Sequence, residues 1–172
     1  MSVATTVRAG RTAEVPSLAA AAERHLDDVY RYVLYLIGDP SVAEDLTAET
    51  FELALRRWKR FDPRRGSART WLCQLARSRA LDHLRAESRR RRREERFAAE
   101  RDTTIEHAFG EGLSPELEAG VRRLSAGERE VVVLRVLLDL DTDETARLLG
   151  ISPSACTTRL SRALKRLEEV LT

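Results

Sequence analysis

The chain has 172 residues, enough for one ordinary domain or two small ones, and 42% of them are apolar, enough to bury a core. No apolar run approaches the ~20 residues of a membrane span, and residues 1–16 lack the apolar middle of a signal peptide. We therefore expect a disordered tail there and a cytoplasmic protein. Cys73, Cys156 and the three histidines lie far apart, which argues against a zinc site and a disulfide scaffold and predicts no metal or cofactor.

The net charge of +2 conceals alternating blocks of opposite charge. Residues 21–55 hold 8 acidic and 2 basic side chains, whereas residues 56–101 hold 6 acidic and 17 basic ones. Residues 102–145 are acidic again, with 11 acidic and 4 basic side chains, and residues 146–172 hold 2 acidic and 5 basic ones. Basic blocks suit the phosphates of a nucleic acid, and acidic blocks suit a basic protein surface or solvent. The alternation therefore indicates two kinds of partner.

Helical periodicity starts at Ser17 and continues to Ile37, where Gly38-Asp39-Pro40 stops it. Ser41 followed by Glu44 has the pattern of a capping box and predicts the start of a second helix. The apolar positions of the first helix, expected to face the core, are Leu18, Ala22, Leu26, Val29, Tyr30, Val33 and Ile37.

The second helix leads directly into a basic stretch that ends in a loop at residues 61–66, indicated by its proline and glycine. Ser67 is the expected N-cap of a third helix, which continues into five consecutive arginines at residues 89–93. Residues 92–113 show no core pattern, so we expect a flexible linker there.

A second group of helices is predicted beyond the linker. A short helix covers residues 115–124, and a capping box formed by Ser125 and Glu128 opens the next one. Another short helix starts at residues 141–144, and after Gly150 a last helix begins behind Ser152 and Pro153. Because no strand pattern competes, the expected fold is all-α, with two small helical domains joined by the flexible linker.

The last two helices and the turn at residues 150–152 have the pattern of a helix-turn-helix motif. In that motif the first helix braces against the DNA backbone while the N-terminal half of the second enters the major groove. Hydroxyl side chains allow close approach to phosphates and base edges, and arginine can bind guanine. A glycine between two helices also marks an ordinary helical corner, so the motif alone leaves both interpretations open. The residues expected to face DNA are Ser154, Thr157, Thr158, Arg159, Ser161 and Arg162.

The second helix is acidic and runs into a basic stretch with interleaved aromatic residues at 56–71. Cations beside flat apolar side chains suit single-stranded nucleic acid, because the charges follow the phosphates while unstacked bases meet the rings. A base taken out of a duplex also needs a pocket. Trp58 and Trp71 lie at helical spacing from apolar neighbours, so we expect them in the core rather than stacked on bases.

Six segments resemble a known family. Residues 43–51, 68–77 and 80–85 resemble the second region of sigma-70-type factors, and residues 124–132, 146–151 and 158–164 resemble their fourth region. The short linker and missing third region resemble the extracytoplasmic-function (ECF) group. The resemblance implies region 2 at 17–91, a linker at 92–113 and region 4 at 114–172. It also implies a sigma factor, without a catalytic site, that directs core RNA polymerase to promoters and assists melting of the −10 element.

The same resemblance implies roles for individual residues. Binding to the coiled coil of the largest polymerase subunit would use Asp45, Leu46, Glu49 and Phe51. Recognition of the −10 element would use Arg60, Phe61, Arg64, Arg65, Ser67, Gln74, Arg77, Ser78, Asp82 and Arg85. The six residues of the last helix named above would bind the −35 element. Further implied partners are the flap of the second-largest subunit and an anti-sigma protein, with action at the nucleoid and no membrane insertion.

Two other classes of protein stay open at this point. A stand-alone helix-turn-helix regulator would explain residues 125–171 but leaves the basic block beside an acidic helix unexplained. A nuclease would need clustered carboxylates or histidines near the basic groove, and the acidic helix offers carboxylates without a histidine pair or a Gly-rich phosphate loop.

Overall fold

A computed structural model describes residues 17–94 and 114–171, and within these ranges it contains helices and no strand. The first half contains α1 (Leu18–Ile37), α2 (Pro40–Arg57), a 3-10 turn (Trp58–Arg60) and α3 (Ala68–Glu94). The second half contains α4 (Pro115–Arg123), α5 (Ala126–Val132), a π-helical turn (Val133–Leu137), α6 (Thr142–Leu149) and α7 (Pro153–Leu171). The all-α prediction is confirmed. The expected tail at 1–16 and most of the expected linker lie outside the described residues, although α3 continues through residue 94.

Local capping residues set most of the helix starts. The Ser17 hydroxyl accepts a hydrogen bond from the Ala20 N–H at 3.1 Å, as predicted. The capping box of Ser125 and Glu128 is also confirmed, and Asp141 and Glu144 form a second one at the start of α6. Each box satisfies backbone N–H groups that have no partner within the helix.

The predicted start of α2 is wrong. Asp39 is the N-cap, and its Oδ1 accepts a hydrogen bond from the Val42 N–H at 3.1 Å, while Ser41 lies inside the helix. Pro40 occupies the first helical turn, where its fixed φ suits the helix and its missing N–H costs nothing. Gly38 ends α1 with a φ of +78°, a left-handed conformation that favours glycine.

Helices α1, α2 and α3 pack against one another around a core that includes Val29, Val33, Leu72 and Ala76. The prediction that Leu26 faces this core is wrong, because its side chain is 49% exposed. Within residues 18–28 only Ala21 is buried, whereas most of residues 29–35 are buried. Neighbouring helices therefore cover mainly the C-terminal half of α1, which helical periodicity alone does not reveal.

The second half of the chain contributes to the same core. The segment from the π-helical turn to α6 places five apolar side chains among those of α1, α2 and α3. A smaller cluster joins α4, α5 and α7 within the second half. The two halves, expected as separate domains, thus share one buried apolar surface. The five shared side chains are Val133, Leu134, Leu138, Leu140 and Leu148.

We predict that Leu134→Ala lowers the free energy of unfolding by about 2–5 kcal/mol, because it leaves a cavity in the shared core. Leu134 is fully buried. Val136→Ala is the matched control in the same turn, since Val136 is 56% exposed and should change stability by no more than about 0.5 kcal/mol. Urea unfolding followed by circular dichroism measures both. Equal losses in the two variants would contradict burial of Leu134.

Candidate nucleic-acid interface

Three aromatic rings support the loop between α2 and α3. Trp58 stacks on Phe61 with ring centroids 4.9 Å apart, and Trp71 meets these rings at 5.6 and 5.7 Å respectively. Both tryptophans pack against the core, as predicted. Phe61, assigned to −10 recognition by resemblance, is only 8% exposed. Its ring therefore packs in the core and stabilises the loop from that side.

A cavity of about 370 Å³ opens beside this loop. Its wall contains the cations Arg60 and Arg65 beside the rings of Phe61 and Trp71. Cations beside aromatic rings suit an unstacked base that is joined to a phosphate. Arg147 reaches the cavity from α6, a contribution that no local sequence pattern indicated. Of the residues predicted for −10 recognition, the cavity brings together Arg60, Phe61, Arg65, Ser67 and Gln74.

Arg64 lies on the same loop but is held by its neighbour Asp62. Its Nε and Nη2 atoms donate hydrogen bonds to the two carboxylate oxygens at 3.0 and 3.1 Å, and its backbone N–H donates to Oδ1 at 3.0 Å. These bonds from Arg64 lower the pKa of the Asp62 carboxyl. Arg64 is thus paired with Asp62 within the loop, whereas Arg65 lines the cavity.

The predicted −10 face of α3 forms one wall of a second cavity, also about 370 Å³. Arg147 and Leu148 of α6 form the opposite wall. Asp82 lies near this face and accepts a hydrogen bond from Arg85 Nη1 at 3.2 Å. From the predicted set, the cavity brings together Gln74, Arg77, Ser78 and Arg85.

The residues that line these two cavities do not include any of α2, which carries the acidic face. Asp45 and Glu49, predicted to bind polymerase, are exposed. Leu46 is 5% exposed and belongs to the core, so its side chain supports the helix from inside. Phe51 is partly buried against the core, and one turn later Leu55 is 69% exposed. Leu55 was not among the residues predicted for this surface, although its position one turn beyond Phe51 can be read from the sequence.

Helix α7 presents the predicted −35 residues to solvent. Cys156, Ala163 and Leu167 are buried. The Thr157 hydroxyl donates a hydrogen bond to the Pro153 carbonyl at 3.1 Å and is therefore used within the helix. Arg159 is partly buried, and the remaining residues of the set are exposed: Ser154, Thr157, Thr158, Ser161 and Arg162.

Arg166 forms an ion pair that the charges of α7 alone do not reveal. From sequence, Lys165 and Arg166 would extend the cationic side chains of α7 toward the phosphate backbone. In the structure Arg166 Nη1 contacts Glu128 Oε2 at 2.7 Å. Glu128 also accepts hydrogen bonds from the backbone and hydroxyl of Ser125, which lower the pKa of its carboxyl. Arg166 thus connects α7 to α5 although its side chain is 52% exposed, and Lys165 and Arg162 are exposed as well.

The described ranges contain no cluster of three or more His, Cys, Asp and Glu side chains placed to bind a metal ion. Across those same ranges, no helix has both the length and the apolarity needed to cross a membrane.

Comparison with known proteins matches both halves. The family model for sigma-70 region 2 matches residues 21–90, and that for sigma-70 region 4 matches residues 115–167. The chain is 35% identical over 170 residues to the ECF RNA polymerase sigma factor BldN of Streptomyces coelicolor, covering 96% of this chain and 64% of BldN. It is 37% identical over 139 residues to the ECF RNA polymerase sigma factor SigC of Mycobacterium tuberculosis, covering 79% of this chain and 73% of SigC. It thus spans slightly less than two-thirds of the BldN length.

Two solved structures have a similar fold. The sigma factor RpoE, in complex with the anti-sigma factor NepR from Bartonella quintana, gives a TM-score of 0.73 at 21% identity. That match covers 89% of this chain and 95% of RpoE. CnrH, in complex with the cytosolic domain of CnrY, gives a TM-score of 0.61 at 21% identity, over 90% of this chain and 86% of the matched chain.

Proposed function

Because the chain belongs to the ECF group of the sigma-70 family, we propose that it directs core RNA polymerase to specific promoters and assists opening of the −10 element. The presence of both regions in family order carries this proposal. A stand-alone regulator would need only the helix-turn-helix half. Such a factor would act in the cytoplasm at the nucleoid and would contribute binding rather than chemistry, with the polymerase supplying catalysis.

Docking to the polymerase would use the outer face of α2. Asp45 and Glu49 give this face negative charge, which complements a basic surface such as the coiled coil of the largest subunit. Phe51 and the exposed Leu55 add apolar area beside the charges. Apolar contacts surrounded by charges are typical of specific protein interfaces, because desolvated apolar groups give affinity and charges give orientation.

Opening of the −10 element would use the cavity beside the 61–67 loop and the cationic face of α3. Extruding a base from a duplex costs a few kcal/mol. Stacking on protein side chains and pairing of phosphates with Arg77 and Arg85 would offset that cost. The captured strand would then stay unpaired without nucleotide hydrolysis.

Binding to the −35 element would use α7 in the major groove. Ser154, Thr158 and Arg162 are exposed on the N-terminal and middle turns, the part of a recognition helix that meets base edges. The same half would contact the flap of the second-largest subunit. We also propose an anti-sigma protein as a partner, since the similarly folded RpoE was solved in complex with the anti-sigma factor NepR.

The deciding experiment mixes the purified chain with sigma-free core polymerase and genomic DNA of its own bacterium. We expect the chain to co-elute with core and the RNA 5′ ends to map to defined sites. A stand-alone regulator would bind duplex DNA unaided and do neither. Failure to associate with core at high concentration and low salt would refute the proposed function.

We predict that Glu49→Arg weakens association with core polymerase at least tenfold, because it replaces an attractive charge at the docking face with a repulsive one. Glu23→Arg on α1 is the control, since it makes the same change of charge at another exposed position. Fluorescence anisotropy of the labelled chain titrated with core measures both. Equal affinities, with both variants folded by circular dichroism, would remove Glu49 from the interface.

We predict that Arg162→Ala costs the holoenzyme about 1–3 kcal/mol of promoter binding and relaxes discrimination at one −35 position, as loss of a base contact does. Lys165→Ala should weaken binding uniformly across sequences, as loss of a phosphate contact does. Holoenzyme binding to a panel of −35 substitutions of a promoter found by transcription measures both effects. A uniform loss for Arg162→Ala would reassign Arg162 to the phosphate backbone.

A further inference from the structure

Gly127 lies in the first turn of α5, between Ala126 and the capping residue Glu128. Its backbone is helical and is not among those with a positive φ, so the conformation of the chain does not call for glycine here. Glycine is less favourable than alanine in a helix, because it loses more backbone freedom on folding. The reason for a glycine at this position therefore lies in its surroundings.

The space beside Gly127 is occupied by Arg159 of α7. A β-carbon added to Gly127 would lie 3.3 Å from Arg159 Nη1 and 3.8 Å from its Cζ. The shorter of these distances is tighter than most contacts of a β-carbon, so even a methyl group would displace the guanidinium. The displaced atoms are the end of a flexible side chain, and the helices themselves need not move. The open space at Gly127 and the Arg159 guanidinium that fills it form the Gly127 seat.

Arg159 is held in this seat without using its hydrogen-bond donors. Its side chain is partly buried, yet within residues 17–94 and 114–171 no group accepts a hydrogen bond from it. Arg166, two turns further along α7, differs in that its Nη1 donates to Glu128 Oε2 at 2.7 Å. A guanidinium that is held in place but not paired can offer its N–H groups to an acceptor outside the protein, and phosphate oxygens match their geometry.

The position of Arg159 on α7 favours a phosphate over a base as this acceptor. Cys156 and Ala163, three residues before it and four after it, are both buried among the neighbouring helices. Residues at these spacings share one face of a helix. Thr158 and Ser161 are exposed on the opposite side, where a recognition helix meets base edges. Arg159 therefore lies at the margin of the helix, from which a side chain reaches the DNA backbone beside the groove.

We propose that Gly127 is a positioning residue for −35 binding, because it seats Arg159 where the guanidinium binds one backbone phosphate and fixes how α7 lies in the major groove. The proposal rests on the −35 role of α7 proposed above. Phosphate contacts set the register and orientation of a protein on duplex DNA without reading its sequence directly. Arg159 then contributes affinity and orientation, and discrimination between bases stays with the exposed residues of α7.

The test fills the seat with a small or a large side chain, by Gly127→Ala and Gly127→Leu. Each substitution is made in the unmodified chain and in an Arg159→Ala background. Arg162→Ala provides the matched background, since it removes a neighbouring cation of α7 and leaves the seat intact. Circular dichroism and urea unfolding check the fold of every variant. Gly127→Ala should unfold at the same urea concentration or a higher one, because alanine favours a helix more than glycine does.

Fluorescence anisotropy measures binding of each holoenzyme to a promoter found by transcription and to a panel of its −35 substitutions, at several salt concentrations. We expect Gly127→Ala to lower the affinity about threefold and Gly127→Leu about tenfold, equally for all −35 sequences. For Gly127→Leu the slope of log affinity against log salt concentration should become shallower by about one, as loss of one phosphate contact requires. Neither substitution should lower the affinity further in the Arg159→Ala background, whereas both losses should persist in the Arg162→Ala background.

A loss that persists in the Arg159→Ala background would overturn the proposal, because Gly127 would then act by a route that does not involve Arg159. Unchanged affinity in both Gly127 variants would overturn it as well, and a loss confined to particular −35 bases would overturn the assignment of a phosphate. If Gly127→Leu does not fold, Gly127→Ala decides by the same criteria. Failure of the proposed function itself would appear separately, as a lack of core association and of promoter-directed transcription by the unmodified chain.

Discussion

The apolar side chains between α5 and α6 lie in the core of the first three helices, and the relation between the two halves depends on this burial. Leu134, Leu138 and Leu140 are almost fully buried there. Burying each such side chain contributes about 1.5–3 kcal/mol relative to exposure. Separating the halves would expose this surface to water, so separation is unfavourable unless a partner covers the same residues.

In the folded chain, not every acidic block faces solvent or an external partner. From sequence, acidic blocks suit a basic partner or solvent, and the α2 face fits that expectation through Asp45 and Glu49. The acidic block at residues 102–145 does not, because Glu130 and Glu144 bind donors of the first half. The excess of basic side chains in residues 56–101, 17 against 6 acidic ones, is therefore partly neutralised within the molecule. Net charge along the sequence could not distinguish an internal partner from an external one.

The sequence correctly predicted those helix starts that depend on hydrogen bonds between residues close together in the chain. The caps at Ser17, Ser125 and Ser67 follow from side chains bonding to backbone groups three residues away. Asp39 was missed because Ser41 and Glu44 offer a competing pattern, and the proline at the first helical position decides between them.

Sequence patterns of this kind could not predict the contacts between elements that are distant in the chain. The exposure of Leu26, the burial of Leu46 and the reach of Arg147 into the −10 cavity each depend on which helix faces which. Periodicity identifies an apolar face of a helix but not the neighbour that covers it. Resemblance to the family assigned roles to residues, and it did not indicate that Arg77 and Ser67 would meet glutamates of the same chain.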